Sequence, residues 1–221
     1  MTLKQFQEII KILRDEYKKW DAPAKRLSQS YRYKRTPFTI LISTVLSFRT
    51  KDEVTFDAAH RLFAIADNPY DMLNVSRETI EQAIYPVGFY REKAKSIHTI
   101  SKELIEKFGG NVPNTLEALT SIKGVGPKTA KIVLENAFGK SYVAVDTHVH
   151  RICNRWGLVH TKNPQETDKI LEKILKEEDK KGLNKVLVSF GQILCKPQKP
   201  NCEECPVKET LKDFGIICTD P

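Results

Sequence analysis

The sequence predicts an all-α protein, and three observations carry that expectation. Apolar residues recur at i, i+3, i+4 and i+7 along most of the chain, no segment alternates as a half-buried strand does, and prolines and glycines stand where helices would begin and end. Together they predict about nine or ten helices. Pro37 opens a helix whose stripe is Phe38, Leu41, Ile42, Val45 and Leu46. Ile97, Ile100, Leu104, Ile105 and Phe108 form a second stripe, which Gly109 and Gly110 end. Asn114 with Glu117 reads as a capping box for a short helix that runs out at Ile122. Ala130, Val133, Leu134, Ala137 and Phe138 follow, with Gly139 just beyond. Val149, Ile152, Cys153 and Trp156 mark another helix, and two more stripes use Ile170, Leu171, Ile174 and Leu175, then Leu183, Val186, Leu187 and Phe190. The segments Gly88 to Ala94 and Gly124 to Ala130 echo each other, each a glycine turn feeding a basic helix start.

With 221 residues and 40% of them hydrophobic, the chain can fill a real core, which excludes a disordered tail or a disulfide-stapled miniprotein. Its formal net charge of +8 directs attention to a polyanionic partner. No uncharged run approaches the ~20 apolar residues of a membrane span, and Met1 to Trp20 is too charged for a signal peptide, so a soluble cytoplasmic protein without a membrane partner is expected. Of five cysteines, Cys195, Cys202, Cys205 and Cys218 fall near the end of the chain; such clustering reads as a metal site in a reducing compartment.

Three segments carry chemistry. In Ile122-Lys123-Gly124-Val125-Gly126-Pro127, a glycine hairpin joins two helices. Positive φ at Gly124 and Gly126 and the absence of Cβ atoms would let the backbone of Gly124, Val125 and Gly126, with the next helix's N-terminus, touch a phosphate without reading bases. Lys128 follows, about 160° around the helix from its apolar stripe, so it belongs to the surface. Most such lysines are merely solvated, yet the positive end of a helix favours the neutral amine that a nucleophile requires. In the second segment, Val145-Asp146-Thr147-His148, Asp146 stands where an N-cap belongs, which does not prevent a chemical role. His148 and His150 have no metal-ligand spacing and read as polar-face residues. The third segment contains one C-x2-C knuckle instead of two, so an iron-sulfur cluster suits the cysteines better than zinc, although zinc stays open. Lys196 and Lys199 would then form a fixed basic finger for phosphate, and Cys153 a buried structural thiol.

Leu119-x-x-Ile122-x-Gly124-Val125-Gly126-Pro127-Lys128-Thr129-Ala130, Val145-Asp146-Thr147-His148 and the terminal cysteines, taken in that order, resemble the endonuclease III family of DNA glycosylases. The likeness runs from about Pro37 to Cys205, and the 18-residue step from Lys128 to Asp146 matches the family's catalytic pair. The resemblance implies a two-module helical glycosylase fold with a helix-hairpin-helix motif and a C-terminal four-cysteine iron-sulfur cluster loop. The modules would be a six-helix unit at about residues 30–140 and a second unit from 1–29 plus 141–221, with Lys128 and Asp146 facing across the cleft between them. Lys128 would be the Schiff-base nucleophile and Asp146 its assisting carboxylate. Arg49 stands in the place of a family glutamine that fills the gap left by an extruded nucleotide, and Phe89 in the place of a second wedge. Thr44 replaces the catalytic glutamate of adenine-excising relatives. The family's fourth cluster cysteine corresponds to Leu211; Cys218, seven residues on, is expected to complete a 4Fe-4S cluster by way of Gly215.

The expected function is therefore base-excision repair by a bifunctional enzyme. A damaged base, such as thymine glycol or another oxidised pyrimidine, is removed through the lysine Schiff base, and the abasic site is cleaved by β-elimination. The expected partner is double-stranded DNA containing damaged bases or abasic sites, bound by a nucleoid-associated monomer. The alternatives are a monofunctional mismatch or uracil glycosylase, needing only Asp146, and a non-catalytic helix-hairpin-helix DNA-binding protein.

Overall fold

A computed structural model describes residues 1–23, 25 and 33–217; Cys218 lies outside the described residues. Every regular element among them is helical, as the periodicity predicts. The helices are α1 (Leu3–Tyr17), α2 (Pro37–Ser47), α3 (Asp52–Phe63), α4 (Pro69–Asn74), α5 (Arg77–Ile84), α6 (Tyr90–Phe108), α7 (Leu116–Thr120), α8 (Pro127–Phe138), α9 (Thr147–Arg155), α10 (Pro164–Ile174), α11 (Glu177–Lys180), α12 (Leu183–Ile193) and α13 (Lys208–Asp213). These thirteen exceed the sequence count, because α4, α11 and α13 are six residues or shorter and so lack a full apolar stripe. None of the described helices is long and apolar enough to cross a membrane.

Contacts divide the chain into two units, Met1–Arg26 with Ser141–Pro221, and Leu27–Lys140. In the second unit α2 is the central helix: Phe38 to Ile42, Val45 and Leu46 are all buried, and it packs on α8, α3 and α6. Thr36 caps it through the Thr39 N–H, and Pro37, which has no N–H to leave unpaired, occupies its first turn. Seven described helices fall in this unit, where the family resemblance implies six. Thr115, not Asn114, caps α7, accepting from the Ala118 N–H at 3.2 Å. The helix begins one residue later than the expected box, which moves Glu117 out of the third helical position.

The first unit closes around Phe6, Ile9, Leu13, Val149, Ile152, Leu187 and Phe190, contributed by α1, α9 and α12. Trp20 stacks on Phe190 with ring centroids 5.8 Å apart, and Trp156 tilts against the same ring. Ile170 departs from its expected stripe and is exposed, because α10 turns only Thr167 and Leu171 fully inward. Cys153 is buried, and the lack of solvation pushes its thiol up to about 12, as befits an inert packing residue.

Candidate functional site

The hairpin between α7 and α8 uses its two glycines differently. Gly124 has φ +96°, where side chains other than glycine's are strained, whereas Gly126 has φ −83° and is the N-cap of α8. This corrects the expectation of positive φ at both: an N-cap residue needs extended backbone, which any residue adopts, and a Cβ on Gly126 would meet nothing within 4 Å. Val125 is buried and anchors the turn, with its N–H donated to the Ile122 carbonyl at 3.0 Å. The Lys123 N–H goes to Glu103 Oε2 at 3.2 Å, so these two hairpin donors serve the fold. The Glu103 carboxyl is itself held below its usual range, chiefly by a hydrogen bond from Lys107. Lys128 stands in the first turn of α8 with its side chain exposed.

Asp146 caps α9: its Oδ1 accepts the Val149 N–H at 2.9 Å. The capping role read from the sequence is therefore real, and among the described residues Oδ2 accepts no hydrogen bond. His150 pairs with Thr167 Oγ1 at 2.7 Å and His148 with Arg151 at 3.2 Å, both in side-chain networks. Lys128 belongs to the unit Leu27–Lys140 and Asp146 to the other.

Arg49 and Phe89 are both non-glycine residues with left-handed backbone, at φ 51° and 58°. Phe89 is 60% exposed and forms the N-cap of α6, so the glycine turn expected at Gly88 is made by the phenylalanine instead. The Arg49 guanidinium lies 5.7 Å from the ring centroids of both Phe48 and Phe89, which places a cation between two exposed rings. Beneath them lies Lys93, a residue the sequence reading passed over. Its position four residues before Ile97, on the apolar face of α6, was the available signal.

Cys195 and Cys205 are buried and Cys202 is half-buried; the three line one cavity with Leu194, Trp156, Phe190 and Leu211. Among the described residues no three Cys, His, Asp or Glu side chains converge as a single metal ion requires. A four-iron cluster takes its thiolates around a cube, and thiols surrounding a cavity suit that donor set. Leu211, 1% exposed, stands where the family resemblance places a fourth cysteine, and its side chain has no donor atom. Two residues of α9 support the loop from behind. Arg155 donates to Cys195 Sγ at 3.2 Å and to the Lys196 carbonyl at 3.0 Å, and Arg151 donates to the Cys195 carbonyl at 2.8 Å. Lys196 and Lys199 are exposed on the loop's outer side.

Comparison with known proteins places this geometry. The model of the HhH-GPD superfamily base excision DNA repair proteins matches residues 42–177, and that of the iron-sulfur binding domain of endonuclease III matches residues 195–210, ending just before Leu211. Endonuclease III of Thermotoga maritima is 47% identical over 184 residues, 83% of this chain and 86% of that protein. A chloroplastic endonuclease III homologue of Arabidopsis thaliana is 39% identical over 181 residues; these cover 78% of this chain but only 48% of that protein, so the chain spans about half its length. A solved trapped endonuclease III–DNA covalent intermediate, an estranged-adenine complex, superposes with a TM-score of 0.77 at 34% identity, covering 94% of this chain and 98% of the other.

Proposed function

The chain belongs to the endonuclease III family of bifunctional base-excision DNA glycosylases and abasic-site lyases, which carry a 4Fe-4S cluster and act on DNA, and from that premise we propose that Lys128 is its nucleophile and Asp146 the assisting carboxylate. The observation that carries the proposal is the placement of Lys128: an exposed amine in the first turn of α8, directly after a hairpin turned by the left-handed Gly124. Residues 30–140 act as one functional module, and 1–29 with 141–221 as the other.

In the proposed reaction the hairpin residues Gly124, Val125 and Gly126 hold the DNA backbone while an oxidised pyrimidine, thymine glycol or a related base, is extruded at a cost of a few kcal/mol. Arg49 and Phe89 enter the space it leaves. The Lys128 lone pair forms a bond to C1′ as the glycosidic bond breaks, and the bonding pair departs with the base. Asp146 accepts the proton released from the lysine nitrogen and stabilises the positive charge developing on the sugar. Asp146 returns that proton to the ring oxygen as the C1′–O4′ bond breaks, which gives an iminium that acidifies the C2′ proton. Its removal expels the 3′ phosphate by β-elimination, and water then frees the amine.

When bound, the cluster supplies a rigid cross-link for the loop, with no part in the bond-breaking steps. Cys195, Cys202, Cys205 and Cys218 would hold it, and Lys196 and Lys199 would present their charge to phosphate. Support for Cys218 is indirect: Leu211 cannot ligate, and Gly215 adopts φ +73°, a left-handed turn on the way to Cys218. The enzyme works as a monomer on nucleoid DNA containing damaged bases or abasic sites.

Borohydride reduction with abasic duplex DNA tests the assignment. Wild type is expected to give a covalent adduct and Lys128→Gln none, with duplex binding nearly intact because one charge among many phosphate contacts is lost. An adduct from Lys128→Gln would assign the chemistry to another amine. Excision by wild type without any adduct would instead establish a monofunctional enzyme acting through Asp146.

A further inference from the structure

The two segments assigned above as wedges are joined by one buried cation. Lys93 is 6% exposed, and its ammonium donates to the Leu46 carbonyl at 2.7 Å, the Phe48 carbonyl at 2.5 Å and Thr50 Oγ1 at 3.0 Å, which uses all three of its protons. Its backbone N–H donates to the Phe89 carbonyl at 3.0 Å. Thr50 Oγ1 also accepts the Gly88 N–H at 3.2 Å. The ammonium therefore contacts the residues on either side of Arg49, from a helix whose first turn is bonded through its backbone to Phe89. Between the segments the backbones nearly touch: a Cβ on Gly88 would stand 2.6 Å from the Arg49 carbonyl oxygen.

We propose that Lys93 is a positioning residue for strand invasion, a clasp that fixes the spacing at which Arg49 and Phe89 enter the duplex. Left-handed backbone at a non-glycine residue is strained and persists only where the surroundings determine it. Arg49 and Phe89 both adopt it, and the contacts that connect their two segments run through Lys93, Thr50 and Gly88. A buried ammonium is also a poor way to gain stability alone, since an apolar side chain of similar length would fill the volume without desolvating a charge. What the ammonium adds is direction: three donors that place two carbonyls and a hydroxyl in one arrangement. Burial pushes its proton affinity down to about 8, in keeping with a charge held for geometry at some expense in solvation.

This inference rests on the assignment of Arg49 and Phe89 as wedges, and the test separates the two. Duplexes carrying a tetrahydrofuran abasic site offer no base to excise, and 2-aminopurine opposite that site reports unstacking on binding. Phe89→Ala calibrates the signal and is expected to reduce it strongly. Lys93→Met should reduce both the fluorescence rise and the preference for abasic over undamaged duplex, the latter about tenfold, equivalent to about 1.4 kcal/mol. Affinity for undamaged duplex should stay within about twofold, because no phosphate contact is removed. Thr50→Val, which removes the shared hydroxyl and leaves the ammonium, should move both readouts the same way by less, and it serves alone if Lys93→Met fails to fold. If Phe89→Ala loses the signal while the folded clasp variants keep it, the clasp is overturned. If Phe89→Ala keeps the signal, the wedge assignment fails and takes the inference with it. Equal losses on damaged and undamaged duplex would reduce Lys93 to a folding residue.

Discussion

The segments around Arg49 and Phe89, proposed above as wedges, and the cysteine loop from Cys195 to Cys205 solve one problem in opposite ways. Both are irregular stretches that must hold exposed basic or aromatic side chains in place. The wedge segments are fastened by the polypeptide itself, through Lys93, Thr50 and the close approach at Gly88. In the cysteine loop, Arg155 and Arg151 grip Cys195, Lys196 and Pro197, the Asn201 N–H donates to the Leu194 carbonyl, and Cys195, Cys202 and Cys205 line a shared cavity. An internal clasp is set once the core has folded; a cofactor-dependent loop is set only when its ligands are satisfied. On the proposed ligation, Lys196 and Lys199 would depend on the cluster in a way that Arg49 and Phe89 would not.

Removing a cluster ligand should give the largest effect and break the comparison most sharply. Cys205→Ala should lose most of the visible iron-sulfur absorbance and several kcal/mol of unfolding free energy, while the 2-aminopurine signal, scaled to the folded fraction, persists. Its disappearance in folded, cluster-free protein would show that the two regions are not independent. The reciprocal change, Gly88→Ala, forces the wedge segments apart and should cost ~1–3 kcal/mol by chemical denaturation with iron content unchanged.

The hairpin supplies a third case, fastened by backbone conformation alone. Gly124→Ala should cost ~1–2 kcal/mol and weaken binding to every duplex, whereas Gly126→Ala should stay within ~0.5 kcal/mol, since it combines ordinary φ with open space. Equal losses in both would mean that phosphate approach, not φ, makes Gly126 a glycine. The smallest effect concerns pH. Burial lowers the proton affinity of Lys93 from 10.5 to about 8, so between these values the unfolded chain binds the proton that the folded chain has released. The lysine's contribution to stability therefore rises with pH across that window, and its full cost is present below it. Urea unfolding at about pH 7 and about pH 9.5 should show wild type gaining on Lys93→Met as pH rises; an unchanged difference would mean that the clasp is not desolvated.

The helical class, most of the longer helices, the hairpin, the cap at Asp146 and the family are legible in the sequence, because each is local: a stripe, a cap or a short motif needs only residues within a few turns of one another. Its errors were also local in scale. Short helices such as α4 escape because six residues do not complete a stripe, and Gly126 is expected at positive φ because composition does not say which residue of a turn must bend. That Phe89 faces solvent, that Leu211 lines the cavity beside the cysteines and that Lys93 is buried emerge only when the chain has folded. These are outcomes of packing between segments distant in sequence: Lys93 joins Leu46 and Phe48 across 47 and 45 residues. A lysine on an apolar stripe shows in the sequence that something must satisfy its charge; the three acceptors that do so exist only once α2 and α6 have packed together.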